Sequence, residues 1–180
     1  MYHGTNKTAL KSQKRILEAL LILMEQEEYN NITVKNICKQ ANISRQTFYY
    51  LFESKEEIVI YCLNQFLDEI EQYINDNNII SIYDLAYTYF SAIDNNENIK
   101  KFISIISITP IFINILLKFM AKMHIVKTNR QADIVDYYAH NFVSYGLHSI
   151  FLLWIKNQKE ITLKELANLV ENILQGKVFE

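Results

Sequence analysis

Apolar residues recur at helical spacing along most of this chain, and polar, asparagine-rich breaks separate the runs. Ile16, Ala19, Leu20, Leu23 and Met24 form one stripe, which predicts a helix from a cap at Thr8 to about Glu27. Val34, Ile37 and Ala41 predict a second helix capped by Thr33. Ala41-Asn42-Ile43 is a short break, after which Ser44 caps a third helix with its body at Arg45 to Phe52. Ile58, Tyr61, Cys62, Phe66, Ile70 and Ile74 predict a long fourth helix, capped by Ser54 and with Glu56 and Glu57 favourable in its first turn. Asp76-Asn77-Asn78 and Asp94-Asn95-Asn96 bracket a helix of about Ser81 to Ile93. Further helices are expected at about Glu97 to Ser107, from Pro110 to about Lys122, and from Arg130 to about Asn157, with Ile125 to Thr128 as a connection. A last helix follows the capping box of Thr162 and Glu165.

Composition agrees with this reading. Half the residues are hydrophobic, which excludes a disordered chain, and three glycines and one proline are too few for a turn-rich β fold. The expected class is all-α with about nine helices. Residues 1 to 7 read as a mobile arm. The most apolar run, Phe102 to Met120, is interrupted by Ser104, Ser107, Thr109, Asn114 and Lys118, so no membrane association is expected. Cys38 and Cys62 lack metal-ligand spacing and read as reduced thiols of a cytoplasmic protein.

The third helix has two unlike faces. At about 100° per residue Phe48 and Phe52 fall together, with Leu51 at their border. Arg45, Gln46, Tyr49 and Tyr50 lie opposite. A short surface helix ordinarily exposes Lys and Glu, whereas this one exposes a guanidinium, a carboxamide and two phenols. Arg pairs bidentately with guanine and Gln with adenine, and Tyr hydroxyls reach phosphate oxygens. Two helices joined by so short a turn form a helix-turn-helix, whose second helix lies in the DNA major groove. Net charge is −2, yet the first sixty residues hold eight Lys/Arg against seven Asp/Glu, with Lys7, Lys11, Lys14 and Arg15 clustered. That balance excludes a strongly basic, non-specific nucleic-acid binder.

The segments Thr33-Val34-Lys35-Asn36-Ile37, Ala41-Asn42-Ile43-Ser44, Thr47-Phe48-Tyr49-Tyr50-Leu51-Phe52 and Lys55-Glu56 resemble, in order and spacing, the N-terminal DNA-binding region of TetR-family transcriptional regulators. The resemblance covers roughly residues 8 to 60. Asn42 replaces the usual turn glycine and is the next best residue for a left-handed backbone. Leu51 stands where the family often has His, which removes a phosphate contact or puts an apolar group near a thymine methyl. The resemblance implies that residues 1-54 are a three-helix DNA-binding domain and residues 55-180 a helical effector-binding and dimerisation domain. It makes Arg45, Gln46 and Tyr50 the base readers, and Thr33, Thr47, Tyr49 and Lys55 the backbone contacts. Lys35 and Ser44 complete the DNA-binding set. Lys55 is unfavourable for the dipole at its helix start, so a phosphate partner is expected there.

The second half leaves core and pocket unseparated. The resemblance implies a site for a small apolar or amphipathic effector, and Tyr83, Tyr87, Phe90, Phe102, Phe119, Tyr138 and Phe142 are its candidate lining. Aromatics at helical spacing equally make ordinary core. The last two helices either close the monomer core or pair with a second subunit in a four-helix interface. Phe142 to Gly146, with Trp154 and Ile155, also resembles TetR-type regulators related to the activator of dihydroxyacetone-kinase operons. His124, His140 and His148 read as core or interface residues. No catalytic motif, metal site or cofactor is expected. The reading is a cytoplasmic, homodimeric repressor on a palindromic double-stranded operator, released by a small effector. The alternative is a helix-turn-helix co-regulator switched by a partner protein. The operator sequence, the effector and the sign of regulation are not written in the sequence.

Overall fold

The computed structural model describes residues 1–2, 4–123 and 133–178. His124, the expected connection Ile125 to Thr128 and the expected helix start at Arg130 lie outside the described residues. Among the described residues all regular structure is helical: α1 (Lys7–Leu23), α2 (Val34–Ala41), α3 (Arg45–Leu51), α4 (Lys55–Asp76), α5 (Ile82–Asp94), α6 (Glu97–Ile103), α7 (Thr109–Lys122), α8 (Asp133–Lys156) and α9 (Leu163–Leu174), with 3-10 turns at Tyr29–Asn31 and Ile106–Ile108. The chain divides into two compact units, Met1–Gln65 and Phe66–Glu180, and the division falls inside α4.

Three helix ends differ from expectation. Asn6, not Thr8, caps α1: its side-chain oxygen accepts from the Thr8 and Ala9 amides at 2.9 and 3.3 Å. That helix stops at Leu23, because Glu25, Glu27 and Glu28 would set three carboxylates on the negative end of the helix dipole. α6 stops at Ile103. Ser104 turns its hydroxyl back onto the Lys100 carbonyl at 2.7 Å, and Pro110 has no N–H to continue the ladder onto Ile106. The Ile106–Ile108 turn fills the gap, and α7 opens with Pro110 in its first turn.

In the first unit Ile16, Leu20, Ile32, Ile37, Phe48, Phe52, Ile58 and Leu63 are buried together, and α1 packs on α2. Burying each such side chain contributes about 1.5–3 kcal/mol. In the second unit α5 packs on α9 and α7 on α8. Phe90 stacks on Phe151 with ring centroids 5.7 Å apart, and Phe151 meets Trp154 at the same distance. The Trp154 indole donates to the Ile161 carbonyl at 2.7 Å, which ties the α8–α9 loop back onto α8. Lys159 reaches Asp94 at 2.6 Å. No single helix among the described residues is long and apolar enough to cross a membrane.

Candidate nucleic-acid interface

Local chemistry sets each end of α2 and α3. The Thr33 hydroxyl accepts from the Asn36 amide at 3.2 Å, and the Asn36 side chain accepts from the Thr33 amide at 3.2 Å, a reciprocal capping box. α2 then stops because Asn42 takes φ 49° and ψ 55°, a left-handed conformation that the short polar Asn tolerates. The Ile43 amide closes the stop on the Cys38 carbonyl at 3.0 Å. Ser44 caps α3 by accepting from the Thr47 amide at 3.0 Å, and the two hydroxyls lie 2.8 Å apart.

α3 is sorted as its pattern requires. Phe48, Leu51 and Phe52 are buried at 0, 1 and 1 % exposure, whereas Tyr49 and Tyr50 are 55 and 65 % exposed. Arg45 and Gln46 are exposed and Thr47 half-buried; on α2 and its cap, Thr33 and Lys35 are exposed. Leu51 is therefore a core residue: that agrees with the loss of a phosphate contact and does not fit an apolar group near a thymine methyl. Phe52 ends the helix in extended backbone and sets its ring edge-on to Tyr61 at 5.8 Å.

The turns on both sides of α2 are each held by a cation from another helix. The Arg15 guanidinium of α1 donates to the carbonyls of Ala41 and Asn42, at 2.5 and 3.2 Å. The Lys55 ammonium of α4 donates to the carbonyls of Tyr29, Ile32 and Asn30, at 2.8, 3.0 and 3.2 Å. Lys55 also lies 4.4 Å over the Tyr29 ring. An ammonium has three N–H donors, and all three are spent here. Lys55, expected on a phosphate, meets three main-chain carbonyls here, which by itself accounts for a cation at the start of α4. The Tyr29 phenol, 3.4 Å from Glu56, is held above its ordinary pKa by burial first and that carboxylate second.

Other placements here are not visible in the spacing of the chain. Tyr2 is not part of a free arm: its amide donates to the Leu51 carbonyl at 2.8 Å, and its ring lies 5.5 Å from that of Tyr50. The buried Gln13 donates to the Tyr2 carbonyl at 3.0 Å. Arg15 is in a visible cluster of cations, but nothing in helical spacing says which of them meets a turn. Cys38 is buried beside Arg45; burial raises its thiol pKa and the guanidinium only partly opposes this.

The seven aromatic pocket candidates are not brought together. Phe90 and Phe102 are fully buried core, Tyr83 and Tyr87 stack on each other at 6.2 Å, and Tyr138 and Phe142 are 67 and 71 % exposed on α8. Tyr87 and Phe142 line separate pockets of about 470 and 140 Å³, and of the seven only Phe119 lines a half-open, mainly apolar cavity of about 300 Å³ in the second unit. Its walls come from α4, α5, α7, α8 and α9, and include Ile70, Ile74, Ala86, Tyr89, Met120 and Val170. The Tyr89 hydroxyl is buried without a hydrogen-bond partner, and burial raises its pKa well above the ordinary range. Next to this wall, α8 buries His140, Ser144 and His148 at four-residue intervals. Ser144 donates to the Met120 sulfur at 3.1 Å, and His148 packs 5.3 Å from the Phe112 ring, where burial lowers its pKa.

Known proteins match this arrangement. The family described as bacterial regulatory proteins, tetR family, matches residues 16–62. Over 72 residues the chain is 36 % identical to the HTH-type dhaKLM operon transcriptional activator DhaS of Lactococcus lactis, covering 40 % of this chain and 37 % of that protein. Over 129 residues it is 26 % identical to the biofilm operon icaADBC HTH-type negative transcriptional regulator IcaR of Staphylococcus epidermidis, covering 69 % of this chain and 68 % of that one. The match thus spans about a third of the first relative and two thirds of the second. Both are described as transcriptional regulators, one an activator and one a negative regulator. Among solved structures, Lin0861 from Listeria innocua superposes with a TM-score of 0.79 at 16 % identity, over 97 % of this chain and 95 % of that one, a likeness of fold.

Proposed function

We propose, from the premise that residues 16–62 are a TetR-family DNA-binding domain, that the whole chain is a cytoplasmic, dimeric transcription repressor released from its operator by a small molecule. The observation that carries the DNA-binding part is the polar face of α3. Arg45, Gln46 and Tyr50 stand exposed on a helix whose other face is fully buried, so they are free to meet base edges while Phe48 and Leu51 fix the helix in place. Thr33, Lys35, Ser44, Thr47 and Tyr49 flank them and reach the phosphates. Lys55 serves by holding the turn before α2.

Two-fold pairing through α8 and α9 gives the second half of the reading. Tyr138, Phe142, Tyr145 and Leu153 on α8 are all more than half exposed, a density of large apolar groups that a soluble monomer rarely leaves uncovered. A dimer of this kind reads a palindrome with half-sites about one helical turn or slightly more apart. Release follows if an effector in the cavity favours a state unable to span both half-sites. α4 is unbroken from Lys55 to Asp76 and carries Ile70 and Ile74 in the cavity wall, so one helix serves both jobs. The apolar cavity favours a small effector over a partner protein as the switch.

The test is selection of bound DNA from random sequence, followed by gel shift on the winner with Arg45→Ala at fixed salt. A palindromic consensus, weaker binding and relaxed sequence preference are expected. An unchanged affinity in the variant sinks the assignment of α3.

A further inference from the structure

We propose that Tyr2 is a positioning residue of the recognition surface: it holds the Tyr50 ring in one orientation, so that the preference for the base Tyr50 meets depends on a side chain outside the helix-turn-helix. This rests on the reading of α3 as the DNA-reading helix and deepens it.

Tyr50 needs such a partner. Its ring is 65 % exposed near the end of α3, and an exposed phenol spread over several rotamers loses side-chain entropy when a base fixes it. Its neighbour Tyr49 is held from within the helix, edge-on to Phe48 at 5.4 Å. Among the described residues the ring that meets Tyr50 is that of Tyr2, tilted by 40° with centroids 5.5 Å apart. That separation lies within the range of favourable aromatic pairs. A side chain ordered before binding spares the complex the entropy of ordering it.

Tyr2 can do this because it is itself held from three sides. Its amide donates at 2.8 Å to the carbonyl of Leu51, one of the last carbonyls of α3, which have no partner inside the helix. Its own carbonyl accepts at 3.0 Å from the carboxamide of Gln13, an α1 side chain that is only 1 % exposed. Burying a carboxamide costs free energy, which this bond offsets in part. The Tyr2 hydroxyl accepts from the Asn6 amide at 3.2 Å, and this folds the ring back over Gly4. A Cβ at Gly4 would overlap the Tyr2 hydroxyl and the edge of its ring, so the fold-back requires a glycine there. The clasp thus joins the segment before α1, α1 itself and the end of α3.

The test repeats random-sequence selection on variants of the full chain, with gel shift on the wild-type consensus at fixed salt. Tyr50→Ala should flatten the preference at one base position of each half-site, and Arg45→Ala at another. Tyr2→Ala should flatten the Tyr50 position and leave the Arg45 position sharp. It should weaken binding by roughly two- to tenfold, the effect of ordering one side chain before binding. Gly4→Ala keeps Tyr2 in the chain but pushes its ring aside, and should do the same. Tyr2→Phe keeps the ring and should restore both affinity and preference. Tyr2→Ala added to Tyr50→Ala should weaken binding no further. Circular dichroism melting checks that each variant is folded at the assay temperature; if Tyr2→Ala is not, Gly4→Ala, on an exposed residue, carries the test. The proposal is overturned if Tyr2→Ala and Gly4→Ala keep the full preference, if they flatten the Arg45 position as much as the Tyr50 one, or if the loss adds in full to that of Tyr50→Ala. A consensus that Tyr50→Ala leaves untouched overturns it as well. Each of those outcomes leaves the reading of α3 standing and removes Tyr2 from it. If the wild-type chain selects no consensus, the reading of α3 is wrong and the proposal falls with it.

Discussion

The ammonium of Lys55 sits between the carbonyl and the ring of the same residue, Tyr29: it donates to the oxygen at 2.8 Å and lies 4.4 Å over the phenol. With the Ile32 and Asn30 carbonyls it closes the 3-10 turn that leads into α2. Lys55→Met removes a charged donor from three carbonyls. It should lower stability by about 1.5–3 kcal/mol, the range for hydrogen bonds to charged groups, read as a fall in the urea midpoint of the unit that holds α1 to α3. DNA affinity measured well below that midpoint should change much less. A large affinity loss with unchanged stability would return Lys55 to a phosphate.

Asn42 is the hinge of the helix-turn-helix, and its φ of 49° sets what else fits there. Asn42→Gly should be tolerated in both stability and DNA binding. Asn42→Val should cost about 1–2 kcal/mol, the penalty of a left-handed conformation for a residue with a crowded Cβ. Chemical denaturation of the two variants side by side measures the difference.

Burial lowers the pKa of His148 from its ordinary 6.5. The unfolded chain then binds the proton more readily than the folded one between those two values. Stability from this group is therefore complete above pH 6.5 and is lost as pH falls from 6.5 through the folded pKa. Melting temperatures from pH 8 to 5 should drop through that window, and His148→Leu should flatten that part of the curve. An unchanged slope would mean the imidazole is already charged or solvated in the folded protein.

The outward face of α8 tests the assembly. Phe142 is 71 % exposed and Tyr138 67 %. Phe142→Glu, or Tyr138→Lys, should convert a dimer to a monomer in sedimentation and weaken operator binding, while circular dichroism stays helical. A wild-type protein that sediments as a monomer at high concentration would remove two-fold pairing from the reading.

Much of the first unit was legible because local rules and packing agree there. Thr33 and Ser44 cap the helices they precede, and Phe48 and Phe52 fall inside as their spacing demands. The carbonyl contacts of Lys55 were not legible, since no helical period relates residue 55 to a turn some two dozen residues earlier. Leu51 was left between two roles because a border position on a seven-residue helix is settled by what packs on it. The cavity was beyond reach for the same reason. Tyr83, Tyr87, Phe90 and Tyr89 share one helix, and only the packing of α5 among other helices decides which of them meets empty space.

Arg15 and Lys55 bear on how the complex responds to ionic strength. Both are tied to main-chain carbonyls, so two positive charges of the first unit are withdrawn from contact with the duplex. Each phosphate met by a lysine or arginine releases condensed counterions, and log K then falls with log salt by about 0.9 per phosphate. Hydroxyl and carboxamide contacts release none. An operator complex built on Gln46, Tyr49, Tyr50 and Thr47, with Arg45 and Lys35 as its nearby cations, is therefore expected to be held by shape and hydrogen bonding. Its affinity should still fall with salt, through the phosphates that the remaining cations of each subunit meet, but less steeply than that of a basic, polyelectrolyte-like binder.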